Sequence, residues 1–505
     1  MQTYIQENWT YSDPNATGGS HYENIKIYGH AYGDLLNDQT DADFIAKHFD
    51  VYMWGGPIVG TRSALLNSKM LWLGEAANIP AVRNSYPSPS SIPSWDSLQV
   101  NTFLANANPN NYTFDDLLLH FKVNTNSAVV SFTPGWNPTD DGDGNGCIDG
   151  SPSDPNRTAQ CIWNARARDI GPAPAKWPMA NVAGQPYIDF RAWYADDLWD
   201  NQHVEGFHFD EASYQSQGIQ LGNTFEYYGQ SETSPSFTYI SDKYAFVPAV
   251  MSQVEEHTGE PTIAFANVVS SDYLCGSGSY LGPQHDLAYN NLENILLEEW
   301  MPNRASVDTT KVDQMLKCPF TDFLEHGKGV VFTYREDSAE GRLFSLCMFY
   351  MINHQMAFYY YTKQGHSGVN ASTGQWNPWV EYNVGQPTAN DLGKVDFWGN
   401  SGTDKFFVFA RGTDNGVKYM VLGREYFRDS DEAIILVLAK VMGAPGQTEG
   451  THATTVQLGD HYRLVQSDFL LSTSFTSIAL KNNEGVILIR NNTGSGNGCH
   501  CSPQG

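Results

Sequence analysis

Apolar positions recur along this chain in two textures. From about residue 20 to 365, short strand-like runs alternate with longer stretches of helical spacing. Strand patterns cover residues 22–28, 48–54, 79–86, 128–132, 204–210, 262–267, 294–299, 329–334 and 356–361. Helical spacing covers residues 41–47, 114–122, 190–198 and 244–257. About eight strands separated by helices argue for a parallel sheet, and eight such units argue for a closed barrel. A doubly wound sheet is the alternative, but no Gly-x-Gly-x-x-Gly follows a strand, so a dinucleotide site has no support. Beyond about residue 375 helical periodicity fades. Runs at 406–411, 417–422 and 486–490 are broken by Gly, Asp and Asn turns, and residues 412–416 form a hairpin loop. The apolar stretch 432–441 fits either a helix or a strand.

The expected fold class is therefore α/β, a (β/α)8 TIM-type barrel followed by an all-β C-terminal sandwich. The barrel takes residues 1–375, with an insertion near 137–165; the sandwich takes 376–495 and a Gly/Cys-rich tail 496–505.

Composition narrows the partners. Lys and Arg number 29 against 56 Asp and Glu, a formal charge of -27. Such a field repels nucleic acid and anionic polymers, and favours neutral or cationic partners. No apolar run reaches the roughly 18 residues that cross a bilayer. Residues 1–5 lack a basic n-region and an apolar h-region, so a signal peptide is either absent or already removed from this numbering. Six Asn-x-Ser/Thr sequons, at Asn8, Asn15, Asn111, Asn156, Asn370 and Asn491, suit an exported glycoprotein. Seven cysteines leave at least one without an internal partner. Cys147 and Cys161 flank a loop that a disulfide could close, whereas Cys347 lies in an apolar run and reads as a buried thiol. Cys499 and Cys501, with His500 between them, make a poor zinc site.

The strongest local motif is residues 141–149, where Asp141, Asp143, Asn145, Cys147 and Asp149 alternate with glycines. Oxygen ligands at alternate positions, with Gly146 at the sixth place, make the first three quarters of a calcium loop. Pro152 stands at the twelfth place instead of the usual bidentate Glu. The expected cofactor is thus one structural Ca2+, with no catalytic metal.

Candidate chemistry gathers at strand ends. The strand Val204, Phe207, Phe209 ends in Asp210 and Glu211, and another ends in Glu298 and Glu299 followed by Trp300. In a parallel barrel all C-terminal strand ends open on one face, so these groups can converge. Paired carboxylates there suit glycosidic cleavage, in which one protonates the leaving oxygen and the other attacks or activates water. Strand alternation allows one of Glu298 and Glu299 to face such a site; Glu299, nearer the tip, is slightly favoured. Further binding candidates are Asp50, Trp54, Tyr86, His208, Glu211, Asn267, Trp300, Tyr334 and Glu336, aromatic and polar groups suited to sugar rings. No His-Glu-x-x-His, Gly-x-Ser-x-Gly or P-loop occurs.

Four stretches also carry a resemblance: residues 48–52, 187–193, 204–211 and 380–387, the last leading into Phe409-Ala410-Arg411. Together they resemble glycoside-hydrolase-like (β/α)8 families that include endo-α-1,4-galactosaminidase-type enzymes, in outline over residues 20 to 420. The segment around Asp210 is the specific part. The resemblance implies a glycosidase with Asp at the end of the fourth strand and Glu near the sixth, here Asp210 and Glu298 or Glu299. Such families usually carry Asp where Glu205 stands, and the calcium-loop insertion is not general among them. The expected protein is an extracellular glycoside hydrolase acting on a neutral or amino-sugar polysaccharide. The alternative is a surface or glycan-binding protein on the same barrel without catalysis.

Overall fold

The computed structural model describes residues 25–31, 39–54, 71–78, 95–108, 110–112, 114–117, 121–123, 130–132, 147–148, 160–161, 180–210, 225–227, 230–231, 239–260, 262–267, 295–300, 304–309, 312, 316, 329–335, 338–353, 357–362, 377–387, 408–444 and 447–491. In chain order the main elements are β1 (Tyr28–Ala31), α1 (Gln39–His48), β2 (Val51–Trp54), β3 (Leu71–Asn78), α2 (Gln185–Gln202), β4 (Gly206–Asp210), α3 (Tyr239–Thr258), β5 (Ile263–Asn267), β6 (Ile295–Trp300), β7 (Val330–Arg335), α4 (Ala339–Met351) and β8 (Ala357–Thr362). There follow β9 (Val408–Asp414), β10 (Val417–Arg428), β11 (Ala433–Met442), β12 (Thr454–Leu464), β13 (Phe475–Leu480) and β14 (Glu484–Arg490). The chain packs as two compact units, divided between Trp72 and Leu73 and again between Ile295 and Leu296.

The first unit holds five parallel strands in the order β6-β7-β8-β1-β2. A parallel bridge from Tyr359 to Ile27 joins β8 to the chain entering β1, and the Tyr359 N–H donates to the Lys26 carbonyl at 2.8 Å. Helix α4 starts at Ser338, whose hydroxyl accepts from the Gly341 N–H at 2.9 Å. Its Phe349 packs on Phe332 and Tyr359, so that side of β7 and β8 is the helix-covered face.

The same unit carries the C-terminal antiparallel sheet, in which β10, β11, β14, β12 and β13 pair in that order, with β9 on β10. Residues 432–441, open between helix and strand in the sequence, belong to β11, and the expected hairpin turns at Asn415 and Gly416. The β11 run is apolar except for the buried Lys440, because both its faces are covered. One carries the cluster of Val421, Leu436, Leu438, Leu458 and Leu488. On the other side lies α4, so close that a Cβ on Gly485 would come within 2.8 Å of the Cys347 sulfur. Burial pushes the Cys347 thiol well above its usual range, as expected for a structural cysteine.

Arg424 of β10 closes this contact. Its Nη1 donates to the carbonyls of Tyr350, Met351 and Asn353 at 3.0–3.2 Å, where the last turn of α4 has no intrahelical donors to offer. The Tyr426 hydroxyl donates to the Tyr350 carbonyl as well, at 2.5 Å.

The second unit holds β3-β4-β5, again parallel, covered on one side by α2 and α3. Gly184 precedes α2, Pro186 occupies its first turn, and His203 ends it in the left-handed region. The buried face of α2 is aromatic, with Phe190 near Phe103 and Tyr187 stacked on Phe246 of α3.

Three expectations change here. The strand pairing with β4 is Leu71–Asn78, which the sequence pattern did not predict; residues 79–86 lie outside the described ones. Val130–Phe132 is a strand as expected, but it pairs with Phe121–Val123 and Phe225–Tyr227 in a small separate sheet. The expected helix at 114–122 is a single 3-10 turn, Phe114–Leu117, followed by that strand.

Candidate active site

Alternation along β4 sorts its residues onto two faces. Phe207 lies 6.4 Å from Trp199 of α2, and Phe209 lies 6.4 Å from Phe246 of α3, so these two face the helices. Gly206, His208 and Asp210 therefore belong to the opposite, inner face. His208 is fully buried and stacks on Phe265 of β5, ring centroids 5.1 Å apart.

The register then defines inner-face rows across three strands. Leu73, Gly206 and Ile263 form the deepest. A Cβ on Gly206 would approach the Ile263 carbonyl oxygen and the Leu73 side chain to 2.7 Å each, which explains a glycine at the start of this strand. Glu75, His208 and Phe265 form the next row. At the C-terminal tip Asn78 is the Cα partner of Asp210, and Asn267, one residue past the Ala266–Phe209 pair, falls in the same row. Asp210 thus ends its strand between two amide residues.

Asn78 reaches that row through a β-bulge. The register shifts between Glu75 and Ala77, so Ala76 and Ala77 together oppose Phe209. Without the extra residue, strict alternation would put position 78 on the helix side. Arg191 of α2 holds the bulge: its Nη1 donates to the Ala76 carbonyl at 3.4 Å and its Nε to the Tyr187 hydroxyl at 3.1 Å. The guanidinium lies 4.8 Å from the Phe190 ring centroid and is almost wholly buried.

In the first unit the register sets the parity of the two glutamates. Glu298 pairs with Val331 and Trp300 with Thr333, whereas Glu299 pairs with Phe332. Phe332 packs on α4. Position 298 therefore has the parity of Trp300 in the register, and position 299 that of Phe332.

Two binding candidates, Asp50 and Tyr334, have packing partners within the fold. Asp50 precedes β2, at the strand end opposite Trp54, and its carboxylate accepts from the Ile27 N–H at 2.6 Å while buried. It lies beside Lys26, whose ammonium burial pushes down to about 8 although Asp50 pulls it up. This is a structural pair at the N-terminal strand ends. Tyr334 has the parity of Phe332, and its ring lies 5.5 Å from Tyr359 on the helix-covered side. Burial, with Tyr359 beside it, raises its phenol well above the ordinary value. Trp54 shares the parity of Tyr52, which packs on Phe49 at the end of α1.

Tyr86, Glu211 and Glu336 lie outside the described residues, as do the calcium-loop positions Asp141, Asp143, Asn145 and Asp149. Cys147 is described in its backbone: it is the antiparallel partner of Cys161. The register places positions 75 and 78, to which the sequence pattern gave no role, opposite His208 and Asp210, and Arg191 reaches the same strand from the helix side. Their signal lies in pairing and in the bulge.

No family model and no curated protein matches the chain. Among solved structures it is similar to an alpha-amylase from Geobacillus thermoleovorans complexed with acarbose, at 10% identity and TM-score 0.38, over 94% of this chain and 99% of that one. A noncanonic maltogenic alpha-amylase from Thermotoga neapolitana is similar at 9% identity and TM-score 0.38, over 92% and 98%. A cycloisomaltooligosaccharide glucanotransferase from Paenibacillus sp. is similar at 10% identity and TM-score 0.36, over 92% of this chain and 54% of that one. The chain thus spans about half the length of that last enzyme. Likenesses this distant decide no function, and the assignments here rest on strand register and packing.

Proposed function

We propose that this chain is an extracellular glycoside hydrolase that cleaves a neutral or amino-sugar polysaccharide with two carboxylates. The carrying observation is the place of Asp210: last residue of a parallel strand, on the face away from the helices, in a row with Asn78 and Asn267. Strands running 3-4-5 and 6-7-8-1-2 keep the chain order of a (β/α)8 barrel, whose C-terminal strand ends carry catalytic groups. Asp210 serves as nucleophile or as the base that activates water, and Glu298 or Glu299 serves as general acid. The acid gives its proton to the glycosidic oxygen as the bond to the anomeric carbon breaks. Attack on that carbon by carboxylate or water completes the exchange.

The surplus of acidic residues favours an uncharged or amino-sugar glycan over an anionic one. Residues 141–149 are proposed to hold a structural Ca2+, and the opposed Cys147 and Cys161 would tie down the same loop. Reducing-sugar release from a panel of neutral and amino-sugar polysaccharides tests the reading. Release from at least one is expected. Binding without release from any member would favour the alternative, a glycan-binding barrel without catalysis.

A further inference from the structure

The C-terminal sheet ends in a strand with an open side. β13 pairs with β12 and lies at the edge of the sheet, with no further strand beyond it among the described residues. The chain joins that edge early: Leu471 bridges Val465 just past β12, and the Ser472 N–H donates to the Leu464 carbonyl at 2.9 Å. The extra residues in this pairing fall in β12, between Gln457 and Tyr462, so β13 itself runs unbroken. In an antiparallel pair every second residue aims its N–H and C=O away from the partner strand, so an edge presents a row of such groups. Residues 469–480 contain no Asp, Glu, Lys, Arg or Pro, so the charges and prolines that commonly blunt an edge are missing here. Apolar side chains along the strip are incompletely covered. Phe475 and Ile478 are only partly buried against the core of this sheet. At the turn before the strand, Leu470 is 64% and Leu471 41% exposed. Phe469 in that turn takes the left-handed region, at φ 62°, which a bulky residue adopts only where packing holds it. Its ring lies 5.7 Å from that of Trp379 and 5.6 Å from that of Tyr382, and the two leucines after it are left facing outward.

We propose that this edge docks a second copy of the chain, the two β13 strands pairing antiparallel about a two-fold axis. Three observations select that occupant. An antiparallel edge is self-complementary, because a half-turn brings each strand's donors and acceptors against the other's, and this is the isologous contact of a two-fold dimer. Charge is the second. With 56 acidic against 29 basic residues, two copies repel wherever their charged surfaces meet, so they approach at least cost along an uncharged strip. The third is continuity with the core. Phe475 and Ile478 already pack on the cluster around Leu458 and Leu488, and the same residues of a second copy would extend it past the edge. Antiparallel alignment also brings the Leu471 end of one copy toward the Ala479 end of the other, which covers the exposed leucines. The inference is independent of the glycosidase reading.

Sedimentation velocity on the full-length chain, from about 1 to 100 µM, tests this, since mass action makes a dimer concentration-dependent. Wild type is expected to move toward twice the chain mass as concentration rises. Ala479→Glu and Leu471→Glu, both at exposed positions, each set like charge against like at the seam. Either is expected to weaken dimerisation at least about tenfold. Ser252→Glu, at an exposed position of α3, is expected to leave it unchanged. Circular dichroism establishes that each variant is folded. Hydrogen exchange on wild type, read by peptide mass spectrometry, needs no variant: amides in residues 474–480 are expected to gain protection as the dimer forms. A chain that stays monomeric throughout the range overturns the proposal, and that is the result if the edge serves a different partner. A dimer that both Glu variants leave intact overturns it too, as does one whose formation leaves the amides of 474–480 unprotected.

Discussion

At the scale of single residues, similar side chains acquire opposite roles from their ends of a strand. Asp50 and Asp210 both abut apolar strands in the sequence, and both read there as binding or catalytic candidates. Position separates them: Asp50 precedes its strand and satisfies the buried Ile27 N–H, whereas Asp210 closes its strand on the inner face. Asp50→Ala removes that acceptor and leaves the buried Lys26 without its carboxylate. A loss of about 3 kcal/mol in denaturant unfolding is expected, with activity per folded molecule unchanged. A fall in activity with stability intact would return Asp50 to the site. Gly206 is a second case. Its replacement by Ala forces a methyl against the Ile263 carbonyl and Leu73, and about 1–3 kcal/mol of destabilisation is expected in the same assay. Asp210 itself was legible because an alternating apolar run and a terminal acid are local signals. Asn78 was not, since nothing in Gly74-Glu75-Ala76-Ala77-Asn78 announces that two residues share one place in the register.

At the scale of elements, the strands with regular alternation or unbroken apolar runs were readable, and the ones with irregular pairing were not. β4, β5, β7 and β8 fall within a residue or two of their expected bounds. β3 escaped because its small residues and bulge break the period. The 128–132 run was read correctly as a strand but placed in the wrong sheet, since periodicity says nothing about partners. Parity bears on what the sequence left open at the sixth strand. Glu298→Gln is expected to lower kcat/KM at least about a hundredfold, the scale of losing a general acid. Glu299→Gln is expected to stay within about threefold of wild type, a surface-like effect on the transition state of under 1 kcal/mol. Equal losses, or the reverse order, would contradict the register assignment. The C-terminal sheet bears on the same unit through Arg424. Arg424→Met should free three carbonyls at the end of α4 and cost about 3–5 kcal/mol, read as a lower denaturant midpoint.

At the scale of the whole molecule, a charge of -27 and scattered buried ionisable groups make stability depend on pH. Asp196 of α2 is half-buried, and its Oδ1 has no hydrogen-bond partner among the described residues. Burial raises its carboxyl to about 6, with nearby His257 pulling down and Asp200 pushing up. A folded-state value above the unfolded one means the native state holds its proton longer. Stability from this group is therefore full below about pH 4 and declines as pH rises through about 6. Asp196→Asn should remove that decline, with a gain on the order of 1 kcal/mol at pH 8 after allowance for solvent screening; an unchanged urea midpoint at pH 8 would count against it. Composition supplies only an expectation about the partner, one without strong negative charge. It contained no trace of which face each carboxylate occupies, because that depends on which strand lies next to which.

The most direct test of the account compares reducing-sugar release by wild type and Asp210→Asn on the best glycan of the panel, with both proteins shown to be folded by circular dichroism. A loss of at least about a thousandfold in kcat/KM is predicted, because the reactive carboxylate is gone while the fold is kept. Release within a few fold of wild type would contradict the assignment of Asp210, and with it the site built around the end of β4.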